Sequence, residues 1–298
     1  MAKEKILILV GPTSSGKSAL AVALAKKFNG EIISADSRQV YSGLDIGTGK
    51  ITKREMRGVP HHLLDIAPPK KIFTAQDFIE KGRSAITDIA ERGKLPIVTG
   101  GTGFYIDALA GRVVLPDVPA DPAFRRIHNK KSTALLLCML TKIDPERAET
   151  IDPHNKVRII RALEIARALG KVPQYTKDAL LYDTLWIGIA PKKELHKKIH
   201  VRLLSRMRQG MVMEAKRLHA KGLTYKRMRE LGLEYGALAA FLQNKISYED
   251  MLERLSSDIR RYAKRQVTYW KRNTDIHWLQ SSQTRTIEKE IRRFMNKI

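Results

Sequence analysis

Gly11-Pro12-Thr13-Ser14-Ser15-Gly16-Lys17-Ser18 matches G-x-x-x-x-G-K-[ST] in full. Glycines at the two fixed positions let backbone N–H groups turn inward around a phosphate, Lys17 adds a full positive charge, and the Ser18 hydroxyl suits Mg²⁺. This nucleotide-binding, ATP-type motif specifies an anion but not its owner; ATP, GTP or any diphosphate ester would satisfy it. Asp36 follows in Ile33-Ser34-Ala35-Asp36-Ser37-Arg38-Gln39-Val40-Tyr41. A lone carboxylate beside a phosphate loop is a metal ligand or a general base, unless it caps a helix, as Ser34, Asp36 and Ser37 all could. Thr99-Gly100-Gly101-Thr102 closes another apolar run without an acid, so the aspartate that an NTP hydrolase places there is missing. That weighs against hydrolysis. Two other spacings carry less. His196 and His200 stand one helical turn apart among Lys192, Lys193, Lys197 and Lys198 with no third ligand, and read as surface. His61-His62 has no metal-ligand spacing to an acidic cluster. The single cysteine, Cys138, excludes an internal disulfide and a cysteine-rich zinc module, and reads as core in Leu135-Leu136-Leu137-Cys138-Met139-Leu140.

The elements that must position these residues are legible as short apolar runs. Lys5–Val10 reads as a strand buried on both faces, ending at Gly11. A helix follows with Leu20, Ala21, Leu24 and Phe28 on one stripe. Glu31–Ala35 is a second strand ending at Asp36, and Leu95–Val98 a third ending at Gly100, preceded by a helical pattern over Ile79–Arg92. Thr184–Ile189 is a fourth. Strands alternating with helices predict an α/β fold with a P-loop NTPase-like parallel sheet core, in which ligands sit at the carboxyl ends of the strands. Leu115–Pro122 carries three prolines and reads as a linker; Phe124 to about Tyr182 is helical with short breaks, and from about Leu195 the chain is helical and basic. The predicted organisation is a core over 1–117 and 184–298, an inserted small helical domain over 118–183, and basic C-terminal helices.

Charge narrows the partner. The chain has 55 Lys plus Arg against 31 Asp plus Glu, a formal net charge of +24. Residues 1–149 hold 23 basic and 16 acidic side chains, residues 150–298 hold 32 and 15, so the excess is +7 in the first half and +17 in the second. A field that lopsided attracts polyanions, nucleic acid first among them. Residues 192–229 hold 13 Lys or Arg against two Glu. Around 254–272, Arg260, Arg261, Lys264, Arg265 and Gln266 lie beside Tyr262, Tyr269 and Trp270, a mixture suited to phosphates and an unstacked base. No uninterrupted apolar run exceeds seven residues, the length of Ala134–Leu140, far short of the ~20 a bilayer span needs. Ile6–Val10 is too short for a signal-peptide core, and a cytoplasmic location is expected.

Taken together, GPTSSGKS, Ser34–Tyr41, Leu44-Asp45-Ile46-Gly47-Thr48-Gly49-Lys50, Pro60–Ile66, Gly100-Gly101-Thr102-Gly103-Phe104-Tyr105, Arg161-Ala162-Leu163-Glu164 and Ala263-Lys264-Arg265-Gln266 resemble the tRNA dimethylallyltransferases, over nearly the whole chain and in the right order. The resemblance implies transfer of a dimethylallyl group from dimethylallyl diphosphate to N6 of the adenosine 3′-adjacent to the anticodon (position 37), with release of diphosphate. The loop residues Gly11, Thr13, Ser14, Ser15, Gly16, Lys17 and Ser18, together with Arg202, would then bind the diphosphate of the donor, with Mg²⁺ on Ser18. Asp36 would be the general base, Thr102 would stand near the bridging oxygen and the target nucleotide, and Lys17 would stabilise the leaving group. The tRNA anticodon stem-loop would meet Asp36, Ser37, Arg38, Gln39, Val40 and Thr102 near the flipped base, and Arg125, Arg158, Arg161, Lys264, Arg265 and Gln266 on the RNA. Where many relatives carry V-G-Y-[RK], this chain has Leu231-Gly232-Leu233-Glu234-Tyr235-Gly236, and no contact is assigned there. No protein partner or membrane is expected, and a monomer is. The competing readings are a P-loop kinase, which leaves the basic second half unused, a transferase acting on free AMP, which needs no inserted domain, and a non-catalytic RNA-binding protein, which has no use for the loop.

Overall fold

The computed structural model describes residues 3–173 and 180–296, and the chain divides into two compact units, Met1–Gly111 with Leu180–Ile298, and Arg112–Ala179. The first unit is built on six parallel strands, β1 (Lys5–Val10), β2 (Gly30–Ser34), β3 (His61–His62), β4 (Leu95–Thr99), β5 (Asp183–Ile189) and β6 (His277–Leu279), in the order β3-β2-β4-β1-β5-β6. The alternation inside β1 shows why the sheet needs helices on both sides. Ile6, Ile8 and Val10 enter one apolar cluster with Phe78, Ile86 and Trp270, while Leu7 and Leu9 enter another with Leu20, Leu24 and Ile287. Burial on both faces is what a continuous apolar run encodes.

Each crossover returns the chain to the same end of the sheet, so every pair of neighbouring strands is parallel. Helices α1 (Lys17–Lys27), α2 (Lys53–Met56), α3 (Ala75–Glu91) and α4 (Gly103–Leu109) precede the second unit, which holds α5 (Pro122–His128), α6 (Thr133–Ile143), α7 (Pro145–Thr150) and α8 (Lys156–Leu169). After β5 come α9 (Leu195–Arg208), α10 (Met211–Ala220), α11 (Tyr225–Leu231), α12 (Leu233–Leu242) and α13 (Tyr248–Trp270), then β6 and α14 (Thr284–Met295). The 23-residue α13 is opened by a capping box of Ser247 and Asp250. It buries Met251, Leu255, Ile259, Ala263, Gln266 and Trp270 on one stripe, which turns Lys264 and Arg265 outward.

Several sequence expectations shift. Strands β3 and β6 have two and three residues, too few to show a pattern, and were not anticipated. Helix α3 starts at Ala75 rather than Ile79 because Thr74 and Asp77 form a capping box. Pro122, read as linker, opens α5 at its first turn under the Asp121 cap, where a missing N–H costs nothing. The compact unit begins at Arg112 rather than 118, and Asp183 already belongs to β5, paired with Lys5. The part of the expected helical stretch at 174–179 lies outside the described residues. Cys138 is exposed, not core: on α6 only Leu136 and Leu140 are buried, and Cys138 lies off that stripe. The second unit's own core is formed by Phe124, Leu136, Leu140, Ile151, Ile159 and Leu163 with their neighbours. Among the described residues no helix is long and apolar enough to cross a membrane.

Candidate active site

The carboxyl ends of β1, β2 and β4 bring the motifs together. At Gly11, φ is +150° and a Cβ would lie 2.9 Å from the Ile189 carbonyl oxygen, so only glycine lets the chain turn off β1 beside β5. Gly16 caps α1 in the left-handed region at φ +92°. The loop between them is held from a distance: the Thr13 N–H donates to Gln266 Oε1 at 2.8 Å, while Gln266 Nε2 donates to the Gly101 carbonyl at 2.9 Å. One buried amide on α13 thus ties the phosphate loop to the loop after β4. Lys17 Nζ donates to the Pro12 carbonyl at 3.2 Å. Burial, then the nearby Arg202 charge, lower its pKa to about 8, against a smaller opposing pull from Asp36.

Asp36 divides its work between two oxygens. Oδ1 accepts the backbone N–H of Arg38 at 2.9 Å and of Gln39 at 3.3 Å, closing the turn after β2. Oδ2 faces Gly101, 3.6 Å from where a Cβ would sit. Asp36 therefore caps no helix: one oxygen closes a turn and the other is left facing the site. Thr102 Oγ1 accepts the Ser37 N–H at 3.0 Å, so the threonine leaves the α4 terminus uncapped and faces the Asp36 turn instead. The glycines after β4 serve close approach. A Cβ on Gly100 would lie 2.1 Å from the Ala35 oxygen, one on Gly101 2.6 Å from Gln266 Nε2, and one on Gly103 2.3 Å from the Tyr269 ring. Tyr262 donates its hydroxyl to the Gly101 carbonyl at 3.1 Å, and burial followed by the Asp36 charge pushes its pKa up, keeping it a donor.

Two cavities meet at Asp36. The smaller, about 80 Å³, is lined by Lys17, Ser18, Gly100, Gly101 and Gln266. The larger, about 270 Å³, is lined by the polar Ser37, Arg38 and Arg265 and by the apolar Ile199, Leu231, Leu233 and Ile259. Thr13, Asp36, Thr48, Arg202 and Tyr262 line both. Arg202 Nη2 donates to the Gly49 carbonyl at 2.9 Å; its pKa is lowered by desolvation and by the neighbouring Arg206. Ser14 reaches the larger cavity and Gln39 the smaller, while the Ser15 hydroxyl is buried without a partner.

Two expected RNA contacts, Val40 and Gln266, are corrected by their surroundings. Val40 is 0% exposed and packs in the apolar cluster with Leu44 and Tyr235, so it cannot meet a base. Gln266 is buried and both ends of its amide are committed to backbone, which makes it a bridge inside the site rather than an RNA contact. Arg125 and Arg161 both bind Glu164, at 2.7 and 2.8 Å, and Arg161 also donates to the Val118 carbonyl. One carboxylate offsets one of these two charges, and the arginine side chains stay 41% and 33% exposed. Arg158, Lys264 and Arg265 remain exposed. His61, set aside in the sequence, lines the smaller cavity; burial lowers its pKa, and Nδ1 lies 2.9 Å from the Val59 carbonyl.

The sequence reasoning also passed over Glu214, Arg206 and Tyr235, which hold the Asp45–Gly49 segment. Their signal was available: Met211, Glu214, Ala215 and Leu218 form the buried stripe of α10, and an acid on an apolar stripe requires buried donors.

A family model for IPP transferase matches residues 39–273. The chain belongs to the IPP transferase family. It is 38% identical to the tRNA dimethylallyltransferase of Anoxybacillus flavithermus, over 99% of this chain and 96% of that one. To the protein of the same name from Bacillus subtilis it is 40% identical, over 93% and 90%. The crystal structure of the full-length tRNA isopentenylpyrophosphate transferase from Bacillus halodurans superposes with a TM-score of 0.75 at 36% identity, covering 98% of this chain and 97% of that one. A eukaryotic dimethylallyltransferase acting on tRNA reaches 0.82 at 29% identity, covering 93% of this chain and 74% of that one. As in these family members, the sheet here is parallel with helices around it, in agreement with the α/β reading of the sequence.

Proposed function

We propose that this IPP transferase moves a dimethylallyl group from dimethylallyl diphosphate to N6 of the adenosine 3′-adjacent to the anticodon of tRNA, at position 37, releasing diphosphate. The observation that carries the reading is the position of Asp36, at the junction of a small cavity beside Lys17 and a larger, partly apolar one that opens on exposed arginines. The diphosphate takes the smaller cavity, where Lys17, Arg202 and the loop amides offset the charge that grows on the leaving group as the C1–O bond breaks. Ile199, Leu231 and Ile259 offer the prenyl group an apolar wall. The exocyclic amine is a poor nucleophile while its lone pair is delocalised into the ring. Asp36 Oδ2 takes the N6 proton as the N–C bond forms, and its other oxygen keeps the carboxylate in place through the Arg38 and Gln39 amides. Thr102, whose hydroxyl oxygen accepts the Ser37 amide, would stand near the bridging oxygen and the base.

Mg²⁺ fits the donor set. Among the described residues no three His, Cys, Asp or Glu side chains cluster, and the small cavity offers hard oxygens, chiefly the Ser18 hydroxyl. That suits an ion held by one or two protein oxygens plus phosphates and water. When bound there it would add positive charge opposite the leaving diphosphate.

On the RNA side, Lys264, Arg265 and Arg38 carry the core's contribution, and the 112–179 unit supplies Arg158 as a further phosphate contact. A loop adenosine is cheap to extrude because little stacking is lost. In this reading the protein acts as a monomer in the cytoplasm.

The test is direct. Purified protein is incubated with Mg²⁺, dimethylallyl diphosphate and unmodified tRNA or AMP, and the products are digested and analysed by mass spectrometry. N6-dimethylallyladenosine from tRNA but not from AMP is the expected result. Product from AMP would move the protein to free-nucleotide chemistry, and ATP consumption without prenylation would make it a kinase.

A further inference from the structure

We infer that Glu214 is a positioning residue for the donor side of the cavity, acting through the Asp45–Gly49 loop; the inference rests on the transferase reading above. Glu214 lies on the buried stripe of α10 and is 5% exposed. Its Oε2 accepts the N–H groups of Asp45 at 3.0 Å and Ile46 at 2.7 Å. Oε1 accepts the Gly47 N–H at 2.8 Å and the Tyr235 hydroxyl at 2.7 Å. Three successive backbone N–H groups aimed at one carboxylate form a nest that fixes a loop more tightly than any single bond. Among the described residues no Lys or Arg lies within ion-pair distance of Glu214, so backbone dipoles and one phenol carry its charge.

The same loop is gripped on its carbonyl side. Buried Arg206 donates to the Gly47 carbonyl at 2.9 Å and to Glu234 at 3.0 Å, and Arg202 donates to the Gly49 carbonyl. Gly47 packs so closely on Tyr235 that a Cβ would lie 2.6 Å from its hydroxyl oxygen. Thr48 and Gly49, the end of the loop beyond the nest, line the small cavity. Loss of the nest therefore shifts two cavity-lining residues and the carbonyl that orients Arg202.

Wild-type turnover with tRNA is measured first, since failure there sinks the transferase reading whatever Glu214 does. Binding of inorganic diphosphate by calorimetry reads the donor cavity independently of that outcome. Glu214→Gln, which turns an amide N–H₂ toward backbone donors, is expected to raise KM for dimethylallyl diphosphate, and Kd for diphosphate, by about tenfold, a typical consequence of one or two buried hydrogen bonds lost. In the same variant kcat and tRNA affinity stay within about twofold of wild type, as expected when an interaction common to ground and transition state is lost. Tyr235→Phe removes one of the four donors and raises the same constants by a smaller factor. With Arg202→Ala already present, Glu214→Gln adds little, because both act through Gly49. Unchanged donor constants would overturn the inference, as would full additivity with Arg202→Ala or a fall in active fraction with KM intact. If Glu214→Gln does not fold, an unchanged diphosphate Kd in Tyr235→Phe overturns it.

Discussion

The cations of the Lys17 cavity and those of the 112–179 unit are spent in opposite ways. Lys17 and Arg202 each donate to a backbone carbonyl, and among the described residues neither has a carboxylate within ion-pair distance. Their pKa values are pushed down by burial and then by a neighbouring arginine. Arg125 and Arg161, by contrast, close on Glu164, a carboxylate only 3% exposed at its side chain, which also accepts the Asp121 N–H. There the arginines hold α5 to α8, and a carboxylate offsets one of their two charges. An arginine in a motif is thus not yet a binding residue; its partner decides.

Four experiments sharpen or break that contrast. Asp36→Ala removes the proton acceptor at the cavity junction and is expected to lower kcat by about 10²–10⁴-fold with tRNA affinity nearly unchanged. Equal turnover would remove Asp36 from the chemistry. Glu164→Ala leaves two arginines and the Asp121 N–H without their acceptor, at a cost of about 3 kcal/mol in unfolding free energy, towards the lower end for a broken buried pair because the arginines are partly exposed. Its pH dependence has a definite sign. The folded pKa is lowered to about 2 from 4.5, as the Arg125 and Arg161 hydrogen bonds outweigh desolvation, so the stabilisation is complete above pH 4.5 and is lost as pH falls towards 2. A wild-type denaturation curve in Glu164→Ala would show the cluster to be idle.

On RNA binding, Lys264→Ala is expected to weaken tRNA whatever its loop sequence and to reduce the salt slope by about one unit. Arg161→Ala, although it lies in a motif, should lower the melting temperature and leave that slope alone. The reverse pattern would invert the assignment of free and spent cations. The smallest signal is protonic. Lys17 is largely neutral above its pKa of about 8 in the free protein. Binding of an anion restores its charge, so diphosphate binding at pH 8.5–9 takes up part of a proton, a component that vanishes below pH ~7. Calorimetry in buffers of different ionisation enthalpy, with Lys17→Gln as reference, isolates it; equal uptake in both proteins would place the titrating group elsewhere.

The phosphate loop, the parallel sheet and the basic second half were legible because each is written locally. A both-face-buried strand reads as an apolar run, and a loop that wraps phosphate reads as its glycines. Strands β3 and β6 were illegible because two or three residues carry no period. The polar residues on apolar stripes were visible but unassigned: Glu214 on α10, Gln266 on α13 and Glu164 on α8 each sit where the helix pattern calls for a hydrophobe. Sequence alone flags such a residue as needing buried partners and cannot say which ones.

The sequence by itself determined the chemistry that is possible here: an anion-binding loop, a nearby carboxylate and an excess of positive charge. Only the tertiary structure decided which groups are free to perform it. Gln266 reaches Thr13 across 253 positions and Glu214 reaches Ile46 across 168. Such pairings depend on where the sheet and helices finally pack, not on local propensity. Hence Asp36 kept an oxygen facing the cavity, Gln266 became a bridge, and Arg125 and Arg161 were claimed by Glu164.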